Sequence, residues 1–330
     1  MQKIKIGIVG YGNLGRGVET ALQKTNDMEL VGIFTRRDPK SIKTLFSSKV
    51  YNQDECFNMK DKIDVLILCG GSANDLMEQS PKFVESFNII DSFDTHAKTL
   101  EHYKNVDKIA KKSSKIGIIS IGWDPGLFSL NRLIMQSVLP EGKDYTFWGK
   151  GVSQGHSDAI RRISGVVDAR QYTIPSQKIL DDVRNAKFGD YTTRQKHTRE
   201  CFVVLENDTQ SERKRVEQEI VSMPNYFSDY DTTVNFITKD ELDKNHANLP
   251  HGGNVFRGGK TGKNLENNHV IEFSLKLDSN PEFTSSVMVA YARAAFRLQK
   301  SGQSGARTIF EIPPFLLSAK SIEDIIHDTL

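Results

Sequence analysis

Five short apolar runs, separated by polar or helical stretches, organise the first part of the chain. Each has the length and branched residues typical of a strand buried on both faces: Ile4–Val9, Leu30–Phe34, Val65–Cys69, Asn88–Asp91 and Gly117–Ile121. Between the first two runs, apolar residues recur at helical spacing and predict a helix over Leu14–Lys24. Strands that alternate with helices predict a parallel sheet with crossover helices, whose ligands bind beyond the carboxyl ends of the strands.

The pattern changes after about residue 125, where strands outnumber helices and no longer alternate with them. The predicted strands are Thr146–Trp148, Cys201–Leu205, Thr232–Ile237 and His269–Leu277. The predicted helices are Ser211–Val221, Ser286–Gln299 and Ser321–Thr329, the last with Ser321 as its N-cap. We expect residues 125–280 to form an α+β domain with a mainly antiparallel sheet. We expect residues 1–124, completed by residues 281–330, to form an α/β domain.

A glycine motif directly follows the first predicted strand. The segment Gly10-Tyr11-Gly12-Asn13-Leu14-Gly15 fits GxGxxG at the turn from a strand into a helix. In such turns one glycine allows the tight bend, one lets the pyrophosphate approach the backbone, and one permits close packing of helix and strand. The helix N-terminus then offers unpaired N–H groups to the phosphates. The motif predicts a Rossmann-type dinucleotide-binding domain, and a plain strand–turn–helix corner is the alternative.

The end of the second predicted strand distinguishes NADP from NAD. About 20 residues after the last glycine, an NAD-binding fold carries an acidic residue for the ribose 2′-hydroxyl. This chain carries Thr35, Arg36 and Arg37 instead. Guanidinium groups bind phosphate bidentately, so the segment favours the 2′-phosphate of NADP. The alternative is a solvent-exposed arginine pair neutralised by Asp38.

Residues that follow the other strands of the sheet are further candidates for contact with the cofactor. They are Cys69, Gly70, Ser72 and Ala73 after the third run, Asp91, Ser92 and Phe93 at the fourth, and Gly122 and Trp123 after the fifth. Cys69 has the alternative interpretation of a thiol nucleophile, as in a semialdehyde dehydrogenase. We interpret it as a small buried apolar residue, because no cation or histidine lies near it in the sequence.

Composition narrows the class of protein. The 330 residues include 44 basic and 42 acidic ones, so a net charge of +2 gives no indication of a nucleic-acid-binding protein. Three cysteines without CxxC spacing, and eight histidines without HxH or HxxxH spacing, indicate neither disulfides nor a metal site. No apolar stretch approaches the ~20 residues of a spanning helix, and the N-terminus lacks signal-peptide features. We expect a soluble, cytoplasmic protein that does not bind membranes.

Three segments rich in glycine and polar residues carry a more specific resemblance. They are Ile121–Gly126, the predicted loop Phe147–Ser157 (which includes SQGHS) and Leu249–Gly253 (LPHGG), of which Pro250–Gly253 is a second predicted loop. With the motifs above and Lys276–Asn280, they resemble the meso-diaminopimelate dehydrogenase family from Ile4 to Leu317. The resemblance implies a bacterial, homodimeric, NADP-dependent enzyme. It implies oxidative deamination of the D-centre of meso-2,6-diaminopimelate to L-2-amino-6-oxopimelate and ammonia, in lysine and diaminopimelate biosynthesis.

The resemblance also implies roles for single residues. Asp94 and Asp124 would bind the D-amino group, and either could be the general base. The substrate residues would be Trp148 as a pocket wall, Ser153, Gln154 and Gly155 near the D-carboxylate, and Thr173, Arg199, His251 and Asn280 at the distal L-centre. Structural alternatives stay open: both aspartates could cap turns or helices, Trp148 could be core, His251 could be bonded to backbone, and Arg199 could be a solvated charge.

Two other functions fit parts of the same pattern. A saccharopine-reductase-like, NADPH-dependent condensing enzyme also combines a dinucleotide fold with an Asp-Pro-Gly turn, here Asp124-Pro125-Gly126. A non-catalytic NADP-binding regulator would keep the fold without the chemistry. A sugar oxidoreductase of the Gfo/Idh class would need a Glu-Lys-Pro motif, which this sequence lacks.

Overall fold

The structure is a computed structural model that describes residues 3–330. It divides into two compact units. Unit 1 contains the chain up to residue 130 together with residues 281–330, and unit 2 contains residues 131–280. The boundaries expected from the sequence lay after residues 124 and 280.

Unit 1 is built on a seven-stranded parallel sheet with the order β14-β6-β5-β4-β1-β2-β3. Its strands are β1 Ile4–Val9, β2 Met28–Thr35, β3 Val50–Asn52, β4 Val65–Leu68, β5 Asn88–Asp91, β6 Ile116–Ile118 and β14 Gly305–Arg307. This confirms the expected Rossmann-type α/β fold. The C-terminal strand β14 lies at the edge of the sheet beside β6, so residues 281–330 complete the sheet that the N-terminal segment begins.

Eleven α-helices lie in the described part of the chain. They are α1 Asn13–Leu22, α2 Met77–Val84, α3 Thr99–Ser113, α4 Leu127–Val138, α5 Gln154–Arg161, α6 Gln177–Arg184, α7 Thr193–Lys196, α8 Gln210–Ser222, α9 Lys239–Asn245, α10 Asn280–Lys300 and α11 Ile322–Thr329. The cap predicted for α11 is confirmed, because the Ser321 hydroxyl accepts from the Asp324 N–H. No helix within residues 3–330 is long and apolar enough to cross a membrane.

Apolar side chains cover both faces of the unit 1 sheet, as a parallel sheet requires. One buried cluster joins Ile6 and Ile8 to the inner face of α10, including Tyr291. The other joins Leu66 and Leu68 to side chains such as Phe83 of α2. The sheet is therefore a buried layer, and only the ends of its strands are available for binding.

Unit 2 contains two small sheets. One has the order β11-β10-β9-β8 and the other β13-β12-β7. The strands are β7 Gly142–Trp148, β8 Gly151–Val152, β9 Val166–Pro175, β10 His197–Leu205, β11 Asp231–Phe236, β12 His251–Thr261 and β13 Asn267–Leu277. Every pair is antiparallel except β10–β11, which is parallel. The mainly antiparallel α+β domain is thus confirmed.

Several elements differ from the sequence-based expectations. The Pro250–Gly253 segment was interpreted as a loop, but β12 begins at His251. Gly252 and Gly253 have φ of 139° and 155°, and a Cβ on either would collide with backbone of the neighbouring strands. These glycines therefore serve close strand packing rather than a turn. Strand β9 and helix α4 were not predicted, and α10 begins at Asn280 instead of Ser286.

Candidate functional site

The glycine turn between β1 and α1 has the geometry of a dinucleotide-binding loop. Gly10 has a φ of +90°, which favours glycine, and a Cβ on Gly15 would collide with the Gly10 carbonyl oxygen. Gly12 is the N-cap of α1, and no atom lies within 4 Å of where its Cβ would stand. The first N–H groups of α1 have no partner within the helix, so they can bind an anion there. The space beside Gly12 is open at this helix N-terminus.

The other residues of this turn have distinct environments. The Tyr11 side chain points into unit 1, where its hydroxyl donates to the Glu19 carboxylate, and burial raises the pKa of Tyr11 to about 12. Only the main chain of Tyr11 is therefore available to a ligand. Asn13 is exposed on the first turn of α1, and Leu14 is partly buried against the core.

The arginines after β2 are not neutralised by Asp38. The Asp38 carboxylate instead accepts from the Lys40 N–H at 3.1 Å. The Arg37 guanidinium donates from Nη2 to the Tyr11 carbonyl oxygen at 2.5 Å, and the Arg37 N–H donates to the buried Thr35 hydroxyl. Arg36 is 64% exposed and forms an ion pair with Asp75 at 2.8 Å. The Arg37 guanidinium thus lies at the glycine turn, and Arg36 has Asp75 rather than Asp38 as its acidic partner.

The segment after β4 holds the start of the loop after β5 in place. Burial raises the pKa of the Cys69 thiol, so Cys69 is no thiolate nucleophile. A Cβ on Gly70 would come within 2.5 Å of the Gln79 Oε1 atom. The Ser72 hydroxyl accepts from the Asp94 N–H at 2.9 Å and from the Thr95 N–H at 3.2 Å. The side chain of Ala73, another expected cofactor residue, lies outside the described part of the chain.

Asp91 and Phe93 face inward. The buried Asp91 carboxylate accepts from the Ser80 hydroxyl at 2.6 Å and from the N–H groups of Phe93 and Ser120. Its Oδ2 also lies 2.7 Å from the His102 Nε2 atom. The Phe93 ring is buried and stacks on His102 at 4.3 Å. These side chains brace the ends of β5 and β6, and half-buried Ser92 lies between them.

The two candidate catalytic aspartates follow adjacent strands, β5 and β6. Asp94 is exposed and caps no helix, because Thr95 is the N-cap of the following short helix. Asp124 is half-buried and lies between Gly122, which is buried, and Gly126. Trp123 of the same turn is buried, with an edge-to-face contact to Phe128 at 5.2 Å. Both carboxylates therefore belong to the strand-end edge of the sheet, as expected from the sequence.

In unit 2, strands β9 and β10 place Arg199 opposite Thr173. Arg199 is only 6% exposed, and its guanidinium donates to the Thr173 hydroxyl. The guanidinium also lies over the Tyr230 ring, 3.9 Å from its centroid. Its Nε atom has no hydrogen-bond partner, and within the described chain Arg199 forms no ion pair with a carboxylate. A buried cation without an acid is costly, so this position is suited to an anionic ligand.

The start of α5 offers a second anion-binding feature in unit 2. Ser153 is the N-cap, and its hydroxyl accepts from the His156 N–H. Gln154 and Gly155 are exposed in the first turn, and a Cβ on Gly155 would meet no atom within 4 Å. Burial lowers the pKa of His156 to about 3, so it is neutral near pH 7. The expected loop is thus a helix N-terminus, which explains how main-chain N–H groups gather here.

Three more expected substrate residues lie at element ends in unit 2. Trp148 ends β7, and its N–H donates to the His197 Nε2 atom at 2.9 Å. The Nδ1 atom of His251 lies 2.8 Å from the Gly252 nitrogen, whose N–H donates to it, and 3.2 Å from the Gly252 carbonyl oxygen. The N–H of Asn280 donates to the Leu249 carbonyl oxygen at 3.0 Å. Trp148 and His251 are half-buried rather than core residues.

Sequence reasoning missed two buried residues that support this site. His197 anchors the main chain of Trp148, and burial lowers its pKa to about 3. The Gln171 side-chain amide donates to the Thr173 hydroxyl at 3.4 Å, and the main-chain carbonyl oxygen of Gln171 accepts from the Ser153 N–H at 3.0 Å. A period of two along Val166–Pro175 could have revealed Gln171 and Thr173 on one strand face. No group of metal-ligating side chains occurs among residues 3–330.

Comparison with known proteins agrees with this geometry. Residues 122–279 match the family model of the diaminopimelic acid dehydrogenase C-terminal domain. The chain is 58% identical to the meso-diaminopimelate D-dehydrogenase of Acetivibrio thermocellus, covering 100% of this chain and 98% of the relative. It is 45% identical to that of Corynebacterium glutamicum, covering 99% of each chain.

Two solved structures extend the comparison to three dimensions. The C. glutamicum diaminopimelate dehydrogenase in complex with DAP superposes with a TM-score of 0.93 at 44% identity, covering 100% of both chains. An engineered D-amino acid dehydrogenase bound to NADP⁺ gives 0.88 at 42% identity, also covering 100% of both. Since the similarity extends over the whole chain in sequence and in structure, this protein belongs to the meso-diaminopimelate D-dehydrogenase family.

Proposed function

We propose that this protein catalyses the reversible, NADP-dependent oxidative deamination of the D-centre of meso-2,6-diaminopimelate. The products are L-2-amino-6-oxopimelate, ammonium, NADPH and a proton, with one water consumed. The observation that supports this most directly is the buried Arg199 guanidinium, which has no carboxylate beside it and donates to Thr173. A dicarboxylate substrate supplies the missing acid. The reaction serves the biosynthesis of diaminopimelate and lysine.

The residues of unit 1 fit NADP. The first turn of α1 and the open space at Gly12 suit the pyrophosphate, while Arg36 and Arg37 suit the 2′-phosphate. The segments 69–73, 91–93 and 122–123 would line the rest of the cofactor site, largely with main chain. Bound NADP⁺ supplies the hydride acceptor.

Asp94 and Asp124 would handle the amino group that reacts. The substrate ammonium must lose a proton before its nitrogen lone pair can form the C=N bond as the hydride leaves the carbon. A carboxylate within hydrogen-bond reach can hold that ammonium and accept the proton. Water then adds to the imine carbon, ammonia leaves, and the 2-oxo acid forms. We propose that both aspartates bind the amino group and that one of them is the general base.

The residues of unit 2 would hold the two ends of the substrate. The N-terminus of α5, with Ser153, Gln154 and Gly155, would bind the D-carboxylate through its N–H groups. Arg199, Thr173 and His251 would bind the distal carboxylate, beside Asn280. Trp148 would form a wall of this pocket. The two ends of the substrate carry the same functional groups. With both of its carboxylates held in place, the D-centre alone would reach the reacting position.

We also propose that the protein is a cytoplasmic homodimer. Apolar side chains of α4 in unit 2, namely Leu133, Ile134 and Val138, are exposed and suit a subunit contact. Light scattering after size-exclusion chromatography tests this. A mass near 37.2 kDa, that of one chain, would contradict the dimer.

The defining experiment follows NADPH absorbance with purified protein, NADP⁺ and meso-diaminopimelate. Parallel reactions carry NAD⁺, the L,L-isomer or D-lysine. We expect rapid reduction only with NADP⁺ and the meso isomer, which would test cofactor, substrate and stereocentre together. Binding of NADP(H) without reduction by any amino acid would instead support a condensing reductase or a regulator.

A further inference from the structure

Glu19 is a buried carboxylate for which the proposed reaction has no direct use. It lies on α1 with a relative exposure of 0%. Its oxygens accept from four groups: the Tyr11 hydroxyl, the Leu45 and Phe46 N–H groups at 3.0 and 3.3 Å, and the Ser48 hydroxyl at 2.5 Å. A single carboxylate thus joins the glycine turn to the connection between β2 and β3. Buried charges persist where donors of this kind surround them.

A single residue, Tyr11, connects the Glu19 carboxylate to the predicted 2′-phosphate site. Tyr11, whose hydroxyl donates to Glu19, also provides the carbonyl oxygen that accepts from the Arg37 guanidinium at 2.5 Å. The Tyr11 hydroxyl in turn accepts from the Leu45 N–H at 3.0 Å. The connection that carries Leu45 begins with Arg36 and Arg37. Glu19 therefore fixes both the acceptor that orients Arg37 and the segment to which Arg37 belongs.

We propose that Glu19 is a positioning residue that sets the preference for NADP over NAD. It acts through Tyr11 and the 45–48 segment on the orientation of the Arg37 guanidinium. The inference rests on the proposed binding of the 2′-phosphate by Arg36 and Arg37. Glu19 itself contacts neither the cofactor nor the substrate in this scheme, so its loss should change the affinity for NADP rather than the rate of the chemical step.

The chemistry of the Glu19 site explains why a neutral amide cannot replace it. All four of its partners donate hydrogen bonds. In Glu19→Gln the amide NH₂ would face some of these donors, leaving N–H or O–H groups unsatisfied inside the protein. The 45–48 segment and Tyr11 would then separate from α1, and Arg37 would lose its fixed acceptor. Gly12 is not among the hydrogen-bond partners of Glu19, so NAD binding should fall much less than NADP binding.

The test compares Glu19→Gln with the wild type in the whole enzyme. The measurements are Kd for NADPH and NADH by fluorescence, and KM and kcat for NADP⁺ and NAD⁺. We expect NADPH affinity to fall about tenfold or more, because the loss of a hydrogen bond to a charged group has an effect of this size. NADH affinity and kcat should change by less than about twofold. A matched control is Asp27→Asn, which removes another unit 1 carboxylate, paired with Arg293. The control should lose stability without losing cofactor preference.

Two further variants keep the inference testable if Glu19→Gln does not fold. Tyr11→Phe removes only the hydroxyl that donates to Glu19, and it should shift the preference in the same direction. In a double-mutant cycle, Arg37→Ala should abolish most of the additional effect of either substitution. Equal losses for NADPH and NADH, or an unchanged preference, would overturn the role of Glu19. A wild-type enzyme without any preference for NADP would instead contradict the proposed function.

Discussion

The Arg199 guanidinium donates to the Thr173 hydroxyl across the antiparallel pair β9–β10. The same hydroxyl accepts from the Gln171 side chain at 3.4 Å. With its acceptor sites directed at these two donors, the Thr173 O–H hydrogen is left to donate elsewhere. A buried cation and a hydroxyl donor therefore point to the same kind of ligand, a carboxylate.

Replacement of Arg199 should weaken substrate binding without lowering the stability of the fold. Arg199→Met keeps much of the side-chain volume and removes a buried charge that no acid neutralises, so we expect unfolding stability to be retained or increased. The KM for meso-diaminopimelate should rise by about 100-fold or more, because a charged bidentate contact to the substrate is lost. Steady-state kinetics and thermal unfolding measure the two effects.

The matched control for this variant is Arg194→Met. Arg194 lies on the neighbouring helix α7, is 49% exposed and pairs with Asp231 at the surface. Exposed pairs contribute little to stability, so both KM and the unfolding temperature should stay near wild type. A normal KM in Arg199→Met would contradict the assignment of Arg199 to the substrate carboxylate.

Alanine substitutions at Gly12 and Gly15 of the first turn should have different effects, the first on NADPH affinity and the second on stability. In Gly12→Ala the new Cβ meets no atom within 4 Å and φ is −100°, so the free protein should fold with wild-type stability. The methyl group would occupy the space of the pyrophosphate, and NADPH affinity should fall by about 100-fold or more. In Gly15→Ala the Cβ collides with the Gly10 carbonyl oxygen, and stability should fall. Calorimetry with and without NADPH distinguishes the two, and retained NADPH binding in Gly12→Ala would refute this location.

Ser72 should act on catalysis through Asp94. Its hydroxyl accepts from the Asp94 and Thr95 N–H groups and thereby fixes the start of the loop after β5. We expect Ser72→Ala to lower kcat by about tenfold or more, since a small misplacement of a proton acceptor slows proton transfer. Ser72→Thr keeps the hydroxyl and should recover most of the rate. If Ser72→Ala lowered kcat and the rescue variant did not restore it, loss of packing rather than Asp94 position would be the cause.

The ion pair between Asp27 and Arg293 gives a prediction for pH. Hydrogen bonding to Arg293 holds the pKa of Asp27 below its usual 3.8, and two bonds of 2.5 and 2.8 Å join the groups. A depressed folded-state pKa stabilises the protein above pH 3.8, and the contribution disappears as pH falls through the folded-state value. The stability difference between wild type and Asp27→Asn should be constant near neutral pH and shrink below about pH 4. Chemical denaturation across pH 3–7 measures it, and a difference independent of pH would contradict the pairing.

Local pattern determined much of unit 1. The apolar run Ile4–Val9, the glycine turn and the pair Arg36-Arg37 are close together in sequence, so strand, turn and phosphate site could be predicted from spacing alone. The bounds of β1 and β5 agree with those predictions to the residue. Parallel strands buried on both faces appear in the sequence as continuous apolar runs. The strands of this half of the chain were therefore easier to predict.

Features that depend on long-range packing became visible only in the tertiary structure. Gly252 and Gly253 suggest a loop in isolation, but they lie in β12 because the flanking strands approach their backbone too closely for a side chain. Tyr11, Asp91 and Phe93 follow or end strands as cofactor residues do, yet their side chains turn inward, Tyr11 to Glu19 and the other two to His102. Sequence position alone does not show which way such a side chain points.

The proximity of the proposed substrate residues Arg199 and Thr173 depends on pairing between distant segments. Only the family resemblance suggested Arg199 and Thr173, and residues 26 positions apart become neighbours only when β9 pairs with β10. The same pairing buries Gln171 and His197, which no local motif marked. Local spacing thus determined the dinucleotide fold and its phosphate preference, because turns and strands form from contiguous residues. Burial and strand pairing decided which polar groups lack a partner, and the proposed site for an anionic ligand is built on those groups.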